Sequence, residues 1–179
     1  MIKSTSKTNE GPLSADEIAV LSELQKHSNN NIETIAKNCG FSRQKVGRII
    51  KKLEENKIIW GYTTIFEVEH QALQKFLLLI KRTMNVVDET TIENIIFARS
   101  EKEYQQIGVT IESSYYIHGE YDWALIFTAK DLKHAKKFSS ILSGNYADII
   151  QKTVLMQILY AQRNHYIINP NLAKLKEFI

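Results

Sequence analysis

Gly40-Phe41-Ser42-Arg43-Gln44-Lys45-Val46-Gly47-Arg48-Ile49-Ile50-Lys51-Lys52-Leu53 carries two messages at once. A glycine suited to a left-handed backbone is followed by Ser42, a residue type that caps helices by accepting a hydrogen bond from the first turn. Val46, Ile49, Ile50 and Leu53 then recur at spacings of three and four, the period of a helix with one apolar stripe. The same segment holds five basic residues and no acidic one, and Arg43, Gln44, Gly47, Arg48 and Lys51 fall away from the stripe. It therefore reads as a helix with one face for packing and a cationic face open to a polyanion, against the plainer alternative of a solvated surface. Gly47 costs such a helix about 1 kcal/mol relative to alanine. Close approach of another backbone, from a nucleic acid or a second helix, is the expected reason for it.

Upstream, Ser14-Ala15-Asp16-Glu17 is a capping box, so a helix starts there. Ile18, Leu21, Leu24 and Gln25 follow at helical spacing, and the polar cluster His27-Ser28-Asn29-Asn30 should end it. Asn31 caps a second, short helix with Ile32, Ile35 and Ala36, which stops at Cys39-Gly40. A short helix, a glycine turn and a basic helix make a helix-turn-helix, whose second helix presents its first turns to a major groove. On that reading Arg43 and Gln44 suit base edges, Ser42 with the helix N-terminus suits a phosphate, and Lys45, Arg48, Lys51 and Lys52 neutralise others. Residues 1–12, polar and ending in Gly11-Pro12, are expected to be a flexible arm before a DNA-binding domain over 13–61.

Downstream the period changes. Tyr62, Thr64, Phe66 and Val68 alternate with Thr63, Ile65, Glu67 and Glu69, which predicts a linker strand within 62–74. Phe76–Ile80 reads as a strand, 88–106 as a helix bearing Ile92, Ile95, Ile96 and Ala98, and Val109, Ile111, Ser113, Tyr115 and Ile117 as an alternating strand. The turn Gly119-Glu120-Tyr121-Asp122 leads into a strand at 123–128. Asp131 caps a helix with Leu132, Ala135, Phe138 and Leu142, ending at Ser143-Gly144, and a last strand runs from about Val154 to Ala161. The order β-α-β-β-α-β over 75–166 is the ferredoxin-like arrangement, two helices on one face of a four-stranded antiparallel sheet. The tail, 167–179, carries Leu172, Leu175 and Phe178 for one short helix after Pro170. The fold class is thus α+β: an N-terminal winged helix-turn-helix of three helices and a C-terminal ferredoxin-like domain. Phe76–Ile80 and Trp123–Phe127 lack the apolar/polar alternation of a sheet with one wet face, so the face without helices is expected to pack on a second copy of the chain.

The chain as a whole narrows the field. The formal net charge is +3 and the pI about 8.8, too weakly basic to decide a partner alone. The lone cysteine, Cys39, cannot form an intramolecular disulfide and reads as a small buried residue. The polar start and apolar runs of five residues, against the ~20 of a membrane helix, point to a cytoplasmic protein. His118, His134 and His165 share no metal-ligand spacing, so no metal or cofactor is expected.

Leu13-Ser14-Ala15-Asp16-Glu17, Ile35-Ala36, Gly40-Phe41-Ser42, Val46, Arg48, Leu53-Glu54 and Ile58-Ile59-Trp60-Gly61-Tyr62 together resemble the DNA-binding half of the leucine-responsive regulator (Lrp/AsnC) family. The second half resembles that family's effector domain, with Gly119-Glu120-Tyr121-Asp122 matching its characteristic glycine and aspartate. The resemblance spans about residues 13–166. It implies transcription regulation without catalysis, homodimers joined through the C-terminal sheets and assembled further into tetramers or octamers, and amino-acid effectors bound near the hairpin. Three departures stand out: Lys57 where the family usually has glycine, which moves the expected left-handed residue to Asn56; a longer first helix in the second domain; and an unusual stretch after residue 144.

Gly119, Tyr121 and Asp122 have two readings. As an effector wall, Asp122 supplies an anion for an ammonium and the glycine turn offers backbone donors; as a plain hairpin, Gly119 relaxes the turn and Asp122 closes it. The resemblance also extends to sirohaem decarboxylases of the same layout, for which His118, Arg163 and His165 are available. A third alternative is an architectural DNA binder with no effector.

Overall fold

The computed structural model describes residues 11–96 and 101–179. The chain divides into two compact units: the first runs to Ile65 and adds Gln162–Pro170, and the second comprises Phe66–Ala161 and Asn171–Ile179.

The first unit is built on three helices, α1 (Ala15–His27), α2 (Ile32–Cys39) and α3 (Arg43–Glu55). Each starts where a side chain takes up a free backbone donor. Ser14 and Glu17 form the reciprocal capping box, Asn31 accepts from the Thr34 N–H at 2.8 Å, and Ser42 accepts from the Lys45 N–H at 3.2 Å. Gly40, at φ +67°, closes α2 in the left-handed region, where a side chain would be strained. The helices meet around buried Val20, Leu24, Ile35, Ala36 and Val46, with Phe41, Ile49 and Ile50 packed against them. The inward face of α1 is Glu17, Val20 and Leu24, whereas Ile18, the first of the helically spaced residues named above, is 51% exposed. The cap decides this: once Glu17 turns in to reach Ser14, positions three and seven residues later follow it.

The end of α3 departs from expectation. Asn56 has an ordinary φ of −82° and Lys57 takes the left-handed position at φ +56°. The Ile58 N–H reaches back to Leu53 O and the Lys57 N–H to Glu54 O, each at 2.9 Å, the paired bonds of a Schellman closure. Register fixes which residue must be left-handed, and the lysine bears the strain. A two-stranded hairpin, β5 (Arg163–Asn164) with β6 (Ile167–Ile168), also belongs to this unit and was not anticipated.

The alternating stretch 62–68 does not form a strand. It has no ladder partner among the described residues, and alternation alone supplies no hydrogen bonds. Val68–Gln71 instead makes a turn of 3₁₀ helix that ends at Ala72, φ +55°.

The second unit is a four-stranded antiparallel sheet in the order β2-β3-β1-β4, with β1 at Gln74–Arg82, β2 at Val109–Tyr116, β3 at Trp123–Ala129 and β4 at Ile150–Ile158. Helical segments α4 (Glu89–Ile96) and α5 (Glu101–Gln106) cover the stretch expected to be one helix; residues 97–100, Ala98 among them, lie outside the described residues, as does most of the N-terminal arm. Helix α6 (Leu132–Asn145) is capped by Asp131, which accepts from the His134 N–H at 2.9 Å. The core lies between sheet and helices. Phe76 stacks on Phe127 at 5.5 Å, and Phe138 of α6 meets Phe127 at 4.7 Å and Tyr104 at 4.8 Å.

Two strands differ from the sequence reading. A register shift between Ile111 and Ser113 breaks the period of β2, so Ile111 pairs with Phe127 while Ser114, not Ser113, pairs with Leu125. Strand β4 starts at Ile150, four residues earlier than expected, because the polar run Gln151-Lys152-Thr153 hides a strand whose partner is β1. The tail docks on its own unit: the Tyr160 hydroxyl donates to Asn171 O at 3.0 Å, and a 3₁₀ helix at Leu172–Glu177 brings Phe178 to stack on Tyr160.

Candidate nucleic-acid interface

Helix α3 presents four kinds of position. Val46 and Leu53 are fully buried and Ile49 and Ile50 partly so, which fixes the opposite face outward. Two of its lysines are tied to α1. Lys52 Nζ lies 2.6 Å from Glu17 Oε1, and Lys45 Nζ lies 2.6 Å from Asp16 Oδ2 while sitting 3.9 Å over the Phe41 ring. Lys51 leans toward Glu55, one turn on, at 3.7 Å. Arg43, Gln44 and Arg48 are exposed and have no hydrogen bond or ion pair to any described residue. Of the seven residues expected to meet DNA, then, the fold leaves these three side chains uncommitted, ties Lys45 and Lys52 to α1, turns Lys51 toward Glu55, and makes Ser42 the cap.

Glu17 links the two roles of α1. It is 7% exposed and accepts from Lys52, from the Ser14 N–H and from the Ser14 hydroxyl. The Lys52 hydrogen bond first, then the two from Ser14, hold its carboxyl down to about 2, well below the usual carboxylate range. Tyr62 does similar work at the other end of α3, donating to Glu54 Oε1 at 2.9 Å; burial and that carboxylate push its phenol up to about 12. Sequence reading found the Ser14–Glu17 capping box and missed Lys52 and the Tyr62–Glu54 bond. Asp16 looks like an ordinary first-turn acid, and nothing local links Glu17 to a lysine 35 residues away.

The start of α3 differs in charge from those of α1 and α2. Helices α1 and α2 carry Asp16, Glu17 and Glu33 in their first turns, where the positive end of the helix dipole favours an anion; α3 carries none and has Arg43 and Lys45 there. Gly47 lies on the same outer face, and a Cβ added to it would meet nothing within 4 Å. A second helix of this chain is therefore not what requires glycine there.

Elsewhere the candidates are more occupied. Asp122 Oδ2 accepts from the Arg82 N–H at 2.7 Å, and the Asp122 N–H donates to Ile80 O at 2.9 Å, so this residue locks the hairpin to β1. Gly119 has φ +155° and Tyr121 is half-buried. His118 lies in the second unit, whereas Arg163 and His165 belong to the hairpin of the first. Cys39 ends α2 with its thiol 3.8 Å from Ala19 O, and burial pushes that thiol up. No group of three His, Cys, Asp or Glu among the described residues is placed to hold a metal ion, and no described helix is long and apolar enough to cross a membrane.

Comparison with known proteins converges on this geometry. Residues 10–59 match the helix-turn-helix domain family, which covers all three helices and the Gly40 turn. LrpC of B. subtilis superposes with a TM-score of 0.60 at 20% identity, over 84% of this chain and 97% of its own. An AsnC family transcriptional regulator from Agrobacterium tumefaciens gives 0.62 at 16% identity, over 88% and 97%. This chain has the Lrp/AsnC fold. The transcriptional regulator NMB0573 of Neisseria meningitidis, solved as an L-Met complex, shares that fold with a TM-score of 0.64 at 17% identity, over 89% of this chain and 98% of its own. No curated protein matches this chain by sequence. The Lrp/AsnC fold puts a helix-turn-helix before a ferredoxin-like sheet, the arrangement expected from the residues alone.

Proposed function

We propose that this protein is a sequence-specific, non-catalytic DNA-binding transcription regulator that acts as a homo-oligomer. The observation that carries the reading is the N-terminus of α3. It is capped by a serine, lacks any acidic residue, and is flanked by Arg43, Gln44 and Arg48, which have no partner among the described residues. A helix end of this kind is stabilised by an external anion, and guanidinium and amide side chains beside it match guanine and adenine edges in a major groove.

The second unit supports self-association. On β1, Phe76, Leu78 and Ile80 are buried toward the helices, while Leu77 and Leu79 point to the opposite face. Register places Ile126 and Met156 beside Leu77, and Ala124 and Val154 beside Leu79. That is an apolar surface without helices of its own, and a second copy is the cover it fits. A two-fold dimer reads a pseudo-palindrome with half-sites about one helical turn apart.

The ferredoxin-like unit is also read as the place where a small-molecule effector acts. L-Met in the Neisseria relative supports an amino-acid-like ligand. The hairpin 119–122 is the first candidate wall, with the qualification in chemistry that one Asp122 oxygen already serves the Arg82 N–H.

The test is selection of genomic fragments by the full chain at low salt, followed by footprinting. The reading expects retained fragments with paired protected half-sites. Retention of no fragment at low salt overturns it.

A further inference from the structure

The second unit contains a cavity of about 370 Å³ between the helices and the sheet. Ile80 and Leu125 lie under it, Tyr104, Trp123 and Tyr146 wall it, and Asn94, Glu101 and Ser114 supply the polar side chains of its lining. Several of these are core residues: Ile80, Tyr104 and Leu125 are each under 10% exposed. It is separate from the hairpin, since neither Gly119, Tyr121 nor Asp122 lines it.

The cavity is open to solvent, with Glu101 and Ser114 of its lining exposed, and it holds roughly a dozen waters at about 30 Å³ each. Its lining is dominated by hydrocarbon and aromatic surface with a few convergent polar groups, which is the make-up and size of small-molecule sites. The charge of the lining selects further. Among the described residues of the lining Glu101 is the one acid, and no described lysine, arginine or histidine contributes to it. A carboxylate or phosphate on the ligand would meet a like charge and no cation, whereas a donor or ammonium head meets Glu101, Asn94 and Ser114.

We infer that this cavity is a binding site for a small molecule with an aromatic or branched hydrocarbon body and an uncharged or cationic hydrogen-bond-donating head, and that anionic ligands are excluded from it. Binding stands on the cavity alone; its use to switch DNA affinity rests on the regulator reading above.

The chain has two tryptophans, and Trp60 is 96% exposed and outside the cavity, so Trp60→Phe leaves Trp123 as the sole reporter within its wall. Full-length Trp60→Phe protein, without DNA, is titrated with 2-phenylethylamine, 2-phenylethanol and phenylacetate while Trp123 emission is followed. The amine and the alcohol are expected to give saturable changes, the amine at lower concentration, and phenylacetate none. Glu101→Gln, an exposed and therefore tolerated change, is expected to remove the preference for amine over alcohol while keeping both. Leu142→Phe, which fills the space, is expected to abolish binding and raise Tm. No saturable change with amine or alcohol, equal binding of phenylacetate, or an amine preference that survives in Glu101→Gln overturns the inference. None of these results depends on whether the protein binds DNA, so a failure here and a failure of the regulator reading are told apart.

Discussion

Helices α1 and α3 are the same length, begin with a serine cap and belong to one small unit, yet their first turns are opposites. After Ser14 come Asp16 and Glu17, and the helix answers its own free N–H groups with its own carboxylate. After Ser42 come Arg43, Gln44 and Lys45, and only the serine answers. The first arrangement is complete within the chain. The second keeps backbone donors and cations facing outward, which lowers the stability of α3 on its own and leaves a place for a phosphate. On the proposed reading, the DNA-binding end of this unit is marked by the local stabilisation that has been left out.

The comparison is broken most strongly at the three uncommitted side chains. Arg43→Ala, Gln44→Ala and Arg48→Ala are expected to leave thermal stability near that of the parent. Where one of them reads a base edge, affinity for a selected duplex falls by about 1–3 kcal/mol, measured by fluorescence anisotropy. Next come the caps. Ser14→Ala and Ser42→Ala should each lower stability by about 1 kcal/mol in urea unfolding, and only Ser42→Ala should also weaken DNA binding.

Gly47→Ala sharpens the contrast because the two readouts move in opposite directions. The space around Gly47 is open, so the helix gains about 1 kcal/mol. Duplex affinity is expected to fall as the new methyl meets the DNA backbone. A stabilised variant with unchanged affinity would show that the outer face does not come that close.

Acid gives the smallest and most local effect. The Glu17 carboxyl is held at about 2 in the folded chain against an ordinary value of 4.5, so its ionised form favours folding. That contribution is complete above pH 4.5 and is lost as the pH falls toward 2. Acid unfolding followed by circular dichroism should therefore be less steep over this window in Glu17→Gln than in the parent.

Local chemistry was legible from the residues. The capping box at Ser14, the Asn31 and Ser42 caps, the Gly40 turn and the order of the strands all depend on neighbours a few positions apart. What escaped depends on partners far along the chain. Val20 rather than Ile18 enters the core because Glu17 is drawn inward toward Ser14 and Lys52. The shift at Glu112 is set by how β2 lies on β3, and the 62–68 stretch has the pattern of a strand without a strand beside it. At the interface, the cationic face was visible as composition, but composition cannot separate Arg43 and Arg48, which remain open, from Lys45 and Lys52, which Asp16 and Glu17 hold.

The salt dependence of duplex binding decides the matter most directly. Each phosphate neutralised adds roughly 0.9 to the slope of log K against log salt. The slope for the Arg43→Ala/Arg48→Ala double variant is predicted to be shallower than that of the parent by one to two such increments. Identical slopes for parent and variant would mean that the start of α3 meets no nucleic acid.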